Sequence, residues 1–444
     1  MKRDYFGTDG VRGPYGGPVI NEAFVARLGQ AAARWAGGTG TVYIGRDTRA
    51  SGASLASALA AGLAAGGMHP VLLGVTPTPA VARVVAASGV RLGAVVTASH
   101  NPASDNGIKF FAHGGLKLSD SDEALIEAQL PNAPADQLGA GSRVWSEEDG
   151  TSAYVSSMAS RLAPGALAGL KVVTDTANGA TCATTPEVLR KLGATVIELA
   201  ASPDGSNIND GVGSEHPDAM SVAVRQAGAN LGVAHDGDGD RCVLCDETGA
   251  ILDGDEILVL LALDALDGNQ LAERTLVVTV QSNLGVDAAL QRAGGRVDRT
   301  DVGDRYVLAR MRECGARLGG ESSGHIINLD MSPTGDGLAA ALGVLAVMKK
   351  SGRPLSDLRR ALTKFPQGQR NLKVTVKRPM QDCTALVAVQ AALTQEFGHR
   401  GRAMVRFSGT EPKLRLLAEG ESEALVRTAL DRLEAAARTD LDVI

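Results

Sequence analysis

Three carboxylates, Asp236, Asp238 and Asp240, stand at alternate positions, separated by glycines and followed by Arg241. Glycine permits the tight turn that lets such side chains converge. At ~4 Å and an effective dielectric of ~20, each like-charged pair costs on the order of 4 kcal/mol, so the cluster makes sense around a cation. Oxygen-only ligands point to Mg²⁺, Mn²⁺ or Ca²⁺. A solvated acidic turn would not require three acids after an apolar strand. The spacing also imitates a calcium-binding loop that would end at Glu247, but Arg241 stands where that loop needs glycine, and the flanks read as strands. Cys242 and Cys245 have the spacing of a redox or zinc motif but no partner pair, so they read as packing in the strand after the acids.

A second chemical candidate is Ser99, in Thr97-Ala98-Ser99-His100-Asn101-Pro102. It falls where a strand ends and a turn begins, a position that presents a hydroxyl in an open α/β sheet. Ser, Asn and Pro are also ordinary turn residues. No Gly-x-Ser-x-Gly elbow is present, so acyl-transfer hydrolysis gains no support. A third candidate is Arg406-Phe407-Ser408-Gly409-Thr410-Glu411-Pro412-Lys413-Leu414-Arg415, with hydroxyls, backbone N–H groups around Gly409 and an arginine at each edge, a set suited to phosphate. An ordinary hairpin with surface arginines would have the same composition. The fourth, Gly320-Glu321-Ser322-Ser323-Gly324-His325, offers a carboxylate, hydroxyls and an imidazole to a polyol, or is a polar turn.

The elements that must position these residues repeat three times, as β-branched runs alternating with helical stretches. The first runs are Thr41 to Ile44, Leu170 to Val173 and Leu276 to Val280; the third runs are Arg91 to Val96, Asn230 to Ala234 and Ala316 to Gly320. Each third run leads into one of the polar turns. Strands alternating with helices imply mainly parallel sheets whose ligands sit beyond the carboxyl ends of the strands. After Phe365-Pro366-Gln367-Gly368 the pattern changes: a strand is expected over Leu372 to Val376 and an amphipathic helix over Glu421 to Arg438, with Leu425, Ala429, Leu430 and Leu433 on one face. The predicted fold is α/β: three similar mixed or parallel α/β sandwich domains, 1–150, 151–253 and 254–366, plus a C-terminal α+β domain, 367–444, around a central cleft.

Composition narrows the partners. The 444 residues are 44% hydrophobic and 21% charged with a net charge of −6, and only 3% are aromatic. That balance favours helix-on-sheet layers over a nucleic-acid stacking surface, and anionic ligands must then be held by local arginines and amides. Nucleic acid and membrane surfaces are not expected as partners. With no signal-like start, no membrane-length apolar run and five scattered cysteines, the chain reads as cytoplasmic.

Taken together and in this order, the four motifs resemble the α-D-phosphohexomutase superfamily over nearly the whole chain. Within it the likeness runs to the bacterial phosphoglucosamine mutases, through Phe6-Gly7-Thr8-Asp9-Gly10-Val11-Arg12-Gly13, Ser206-Asn207-Ile208-Asn209, Gly213-Ser214-Glu215-His216, Ser282-Asn283-Leu284-Gly285 and Val302-Gly303-Asp304-Arg305-Tyr306-Val307. It departs at Ser322, where that group usually has Gln, and at Gln281, where Met is common.

The resemblance implies a phosphorylated Ser99, and one Mg²⁺ held by Asp236, Asp238, Asp240 and that serine. It implies sugar recognition through Glu321 and Ser323, and a distal phosphate held by Arg406, Ser408, Gly409, Thr410 and Arg415. Lys109 and His325 become the candidates for proton transfer, with Arg12 and His100 near the phosphoryl group. The implied reaction interconverts glucosamine 6-phosphate and glucosamine 1-phosphate through glucosamine 1,6-bisphosphate, on the route to UDP-N-acetylglucosamine. A homodimer is compatible with it. The competing readings are the sister activity on glucose or mannose phosphates, a metal-dependent phosphatase with a serine nucleophile, and a non-catalytic sugar-phosphate sensor.

Overall fold

A computed structural model describes residues 3–7, 9–130, 145–408 and 412–444. They form two compact units, Met1–Gln281 with Ala293–Ala361, and Ser282–Arg292 with Leu362–Ile444.

The first unit contains three sheets that share one plan. In each, the first strand of the repeat lies between the second and the third, both parallel to it, and a fourth strand runs antiparallel beside the third. The third and fourth strands are Leu92–Val96 with Asp105–Ala112, Leu231–His235 with Cys242–Asp246, and Leu318–Gly320 with Ile326–Asn328. Each chemical motif is therefore the connection of an antiparallel hairpin. The sequence reading placed these turns at strand ends; the sheet adds that each returns at once as a neighbour. Central strands such as Leu92–Val96 and Thr275–Thr279 are buried along their whole length, as their unbroken apolar runs require.

The scarcity of aromatic residues has a packing counterpart. Helices Glu22–Ala36 and Gly52–Ala65 pack closely on each other, so that a Cβ on Gly62 would run into Ala26 O, and Ala31, Ala32, Ala33, Ala56 and Ala60 are buried in the core they share with the first sheet. Helix Glu22–Ala36 is capped by Asn21, whose side chain accepts from Phe24 N. Cys242 and Cys245 are buried three positions apart on a strand, so their side chains face opposite ways, and both are free thiols. Burial pushes Cys245 up to about 11. Glu247 accepts a hydrogen bond from Ser356 Oγ, which occupies it away from the acid cluster.

The second unit is a three-stranded antiparallel sheet, in the order Gln367–Lys373, Lys413–Gly420, Gly401–Phe407, covered by helices Thr384–Phe397 and Glu423–Asp440. Two expectations are corrected here. The strand expected over Leu372 to Val376 lies earlier, because Gly368 is not a turn residue: a Cβ there would meet Leu430 and Val426 of the covering helix at 2.7 and 2.9 Å. In the helix, Leu425 is 44% exposed. The buried stripe is Val426, Ala429, Leu430, Leu433 and Ala437, and Leu425 falls off its edge because the stripe follows the helical repeat from Val426. Among the described residues, no helix is long and apolar enough to cross a membrane.

A candidate active site on three hairpin turns

Ser99 occupies the left-handed region, with φ of 54°. A side-chain-bearing residue there costs on the order of 1 kcal/mol and is held by its surroundings. This conformation turns the hydroxyl away from its own sheet: Ser99 Oγ donates to Asp236 Oδ2 at 2.6 Å, and His100 Nδ1 lies 3.4 Å away. The serine is 1% exposed. Its amide donates to Thr97 Oγ1 at 2.9 Å.

The acid turn presents oxygens of Asp236, Asp238 and Asp240 within 4.8 Å of one another, all three residues buried. Asp236 Oδ1 accepts from Arg241 N at 3.2 Å, and Asp238 Oδ2 accepts from Thr78 Oγ1 at 2.7 Å. Thr78 opens helix Thr78–Ser88, so that acid also faces the positive end of a helix. Burial and the charges of Asp238 and Asp240 push Asp236 well above the usual carboxylate range. Among the described residues, Asp238 Oδ1 is buried without a hydrogen-bond partner, and Asp240 Oδ1 has only the long ion pair with His325 Nδ1 at 3.6 Å. Crowded hard oxygens with unused lone pairs fit a small divalent cation.

Lys109, on the fourth strand of the first sheet opposite Val95, brings its ammonium 2.8 Å from Asp238, 3.3 Å from Asp240 and 2.8 Å from Asp9. Asp9 pairs onward with Lys117 at 2.6 Å, Lys117 with Asp304 at 2.5 Å, and Asp304 with His325 Nε2 at 3.1 Å. His325 Nδ1 returns to Asp240 at 3.6 Å. The result is a closed ring of alternating charges joining all three sheets. Burial opposes the charge on His325, but Asp304 and Asp240 outweigh it and push the imidazole up to about 10. Lys109 is likewise raised by Asp238, Asp240 and Asp9 against its burial.

Arg12, on an edge strand opposite Gly107, pairs with Asp9. Burial, with the cations of Arg241 and Arg12, pushes His100 down to about 4 and keeps it neutral. Glu321 is half-buried and raised by burial and by Asp304; its Oε1 accepts from Gly303 N at 3.0 Å. Ser323 is exposed. Ser99, His100, Lys109, Arg12, Glu321, His325 and the three acids thus lie in the first unit, linked directly or through one neighbour.

Arg406, Ser408 and Arg415 belong to the second unit. Arg406 and Arg415 stand opposite each other across paired strands, which puts both guanidinium-bearing side chains on one face of the sheet. Ser408 N donates to Lys413 O at 2.8 Å, closing the hairpin. Gly409 and Thr410 lie outside the described residues.

Sequence reasoning passed over Asp9, Lys117, Asp304 and Thr78 as site residues. Asp9 and Asp304 stand inside quoted motifs and were legible there; Lys117 and Thr78 carry no local signal.

Four family models cover the chain: the phosphoglucomutase/phosphomannomutase α/β/α domain I over residues 3–136, domain II over 152–249, domain III over 253–365 and the C-terminal domain over 371–436. The chain is 47% identical to the phosphoglucosamine mutase of Aeromonas salmonicida over 443 residues, 98% of each chain. Its fold is similar to that of a phosphoglucomutase/phosphomannomutase family protein from Burkholderia thailandensis, with a TM-score of 0.82, 25% identity and 98% of each chain covered. It is also similar in fold to N-acetylphosphoglucosamine mutase of Aspergillus fumigatus solved with GlcNAc-6P and magnesium, with a TM-score of 0.67 and 19% identity over 99% of this chain and 96% of that one.

Proposed function

The chain belongs to the phosphoglucomutase/phosphomannomutase family of the α-D-phosphohexomutases, and from that premise we propose that it interconverts glucosamine 6-phosphate and glucosamine 1-phosphate through a phosphorylated Ser99. The observation that carries the reading is the 2.6 Å hydrogen bond from Ser99 Oγ into a cluster of three buried carboxylates in which Asp238 Oδ1 has no partner among the described residues. A nucleophile and a cation-shaped set of oxygens are then adjacent.

In the proposed cycle the Ser99 O–P bond breaks as an O–P bond forms to the free sugar hydroxyl, giving glucosamine 1,6-bisphosphate. The bisphosphate turns over and returns its other phosphoryl group to Ser99. Lys109 and His325, both held cationic by the carboxylates around them, would act first as acids: one would give its proton to the leaving serine oxygen and be reprotonated by the attacking sugar hydroxyl. Mg²⁺ held by Asp236, Asp238, Asp240 and the serine phosphate would offset the roughly −1.5 to −2 charge of phosphoserine. Neutral His100 and the Arg12 guanidinium would line the transferring group. Glu321 and Ser323 would read the sugar, and the loop from Arg406 to Arg415, with Ser408, Gly409 and Thr410, would grip the phosphate that does not react. The domain boundaries at 150, 253 and 366 and a cytoplasmic location belong to the same proposal. The former is supported by the matched spans and the latter by the lack of a membrane-length apolar helix among the described residues.

Ser99→Ala should abolish mutase activity and lower the intact mass of the purified protein by one phosphate. Activity surviving in that variant would sink the mechanism. Comparing kcat/KM for glucosamine, glucose and mannose phosphates in one coupled assay with added bisphosphate tests the substrate, and release of inorganic phosphate would instead indicate a phosphatase.

A further inference from the structure

The largest fully buried side chain in the described protein is a charged one, Arg49, which is 1% exposed. It pairs with Asp47, Nε to Oδ2 at 2.9 Å. Every one of its remaining donors goes to the backbone of the turn that carries Ser99. Nη2 donates to Ser99 O at 3.0 Å and Asn101 O at 2.8 Å; Nη1 donates to Asp105 O at 2.9 Å and to Pro102 O. All five guanidinium N–H groups are thus spent, four of them on one turn. Asp47 closes the circuit: its Oδ2 accepts from Thr97 Oγ1 at 2.6 Å, and Thr97 Oγ1 accepts from Ser99 N at 2.9 Å. From a turn between strand Thr195–Leu199 and helix Asp218–Ala227, Asn209 Nδ2 donates to the same two carbonyls, Ser99 O at 2.9 Å and Asn101 O at 3.1 Å.

Four carbonyl oxygens pointing into one buried space repel one another, and a turn of this sequence would not adopt that form unaided. A planar cation with a fixed fork of donors satisfies all four at once. The peptide planes on both sides of Ser99 are tied down, its N–H through Thr97 and Asp47, its C=O through Arg49 and Asn209. We propose that Arg49, aided by Asp47 and Asn209, is a positioning residue for phosphoryl transfer: it locks Ser99 in the left-handed conformation that aims Oγ at the acid cluster. The inference rests on Ser99 being the phosphoryl carrier. Arg49 does not touch Oγ, so it acts only through the backbone.

The test keeps the charge and removes the fork. Arg49→Lys retains a cation beside Asp47 but offers three donors for five acceptors. With a misplacement of about 1 Å at the nucleophile, kcat should fall on the order of 100-fold. KM for the sugar phosphate should stay within about twofold, because substrate-binding groups are untouched. Phosphoserine content after incubation with the bisphosphate, read by intact mass, should fall with kcat. In Arg49→Ala, millimolar guanidinium chloride should restore activity and phosphoserine, and urea at the same concentration should not. If neither arginine variant folds, Asn209→Ala decides, since losing two hydrogen bonds to the same carbonyls should lower kcat about tenfold.

A folded Arg49→Lys with parental kcat and parental phosphoserine overturns the inference, as does a parental Asn209→Ala. A purely structural role would lower the melting temperature and leave kcat of the folded fraction unchanged, which also overturns it. A parent that turns over sugar phosphate while remaining unphosphorylated after incubation with the bisphosphate overturns the reading of Ser99 itself, and this inference with it.

Discussion

The turn carrying Ser99 and the turn carrying Asp236, Asp238 and Asp240 leave equivalent strands of two similar sheets, yet they solve opposite electrostatic problems. In the first, carbonyl oxygens converge on a cation that the chain supplies itself, Arg49. In the second, carboxylates converge on a space where the chain supplies only part of the counter-charge, through Lys109 and His325. One turn is complete without help and so can hold a strained serine still. The other holds three acids against fewer cations, with Asp238 Oδ1 buried and unpartnered, and burial with the charges of Asp238 and Asp240 raises Asp236. The same hairpin scaffold therefore yields a fixed nucleophile and a cation receptor, according to whether the buried charge is balanced.

The strongest way to break the comparison is Asp236→Asn. It replaces an anionic ligand, and the charged acceptor of the Ser99 hydroxyl, with a neutral amide, so mutase activity should drop on the order of 1,000-fold. In the presence of a chelator, however, the variant should melt at the same temperature as the parent or higher, because two like-charge pairs are gone, whereas Arg49→Lys should melt lower. Thermal shift with and without Mg²⁺ reads both. A chelated Asp236→Asn protein that melts well below the parent would mean that the acid turn is as self-sufficient as the serine turn.

A smaller effect is expected where the two turns touch. A Cβ on Gly237 would lie 2.7 Å from Ile208 Cδ1, 2.8 Å from Ser99 O and 2.9 Å from Asn209 Nδ2. One of these is a carbonyl already gripped by Arg49, so it cannot yield cheaply. Gly237→Ala should cost about 100-fold in kcat by displacing Ser99 and the acids relative to each other. Steady-state kinetics on the folded variant checks it, and a loss confined to KM would contradict this account. The smallest effect belongs to Thr78→Val, which deletes the hydroxyl that orients Asp238. Mg²⁺ affinity should weaken about tenfold, with kcat recovered at saturating Mg²⁺. A Mg²⁺ titration of activity that is unchanged by this substitution would remove Thr78 from the account.

Much of the fold was legible because its signals are local. β-Branched runs followed by Gly-rich turns announced the three sheets, and the acids, separated only by single glycines, could be read as convergent without knowing anything distant. The strand misplaced by several residues near Gly368 shows the limit: a glycine chosen for close packing against Leu430 looks in sequence like a glycine chosen for a turn. Leu425 was assigned to an apolar face for a similar reason, since spacing alone does not say where a helix's contact stripe is centred.

By itself, the sequence determined which residues could do chemistry, the order in which they come and the strands that carry them, since each of these depends on neighbours along the chain. Only the tertiary structure decided what holds them. Arg49 reads as one more arginine at the end of a strand, and Lys117 as a lone lysine. Their roles arise from partners brought close by sheet pairing and hairpin return, Arg49 with a turn some fifty residues on and Lys117 with both Asp9 and Asp304. Charge pairing falls off within a few ångströms, so it is set by register and burial, and neither is written in the local run of residues.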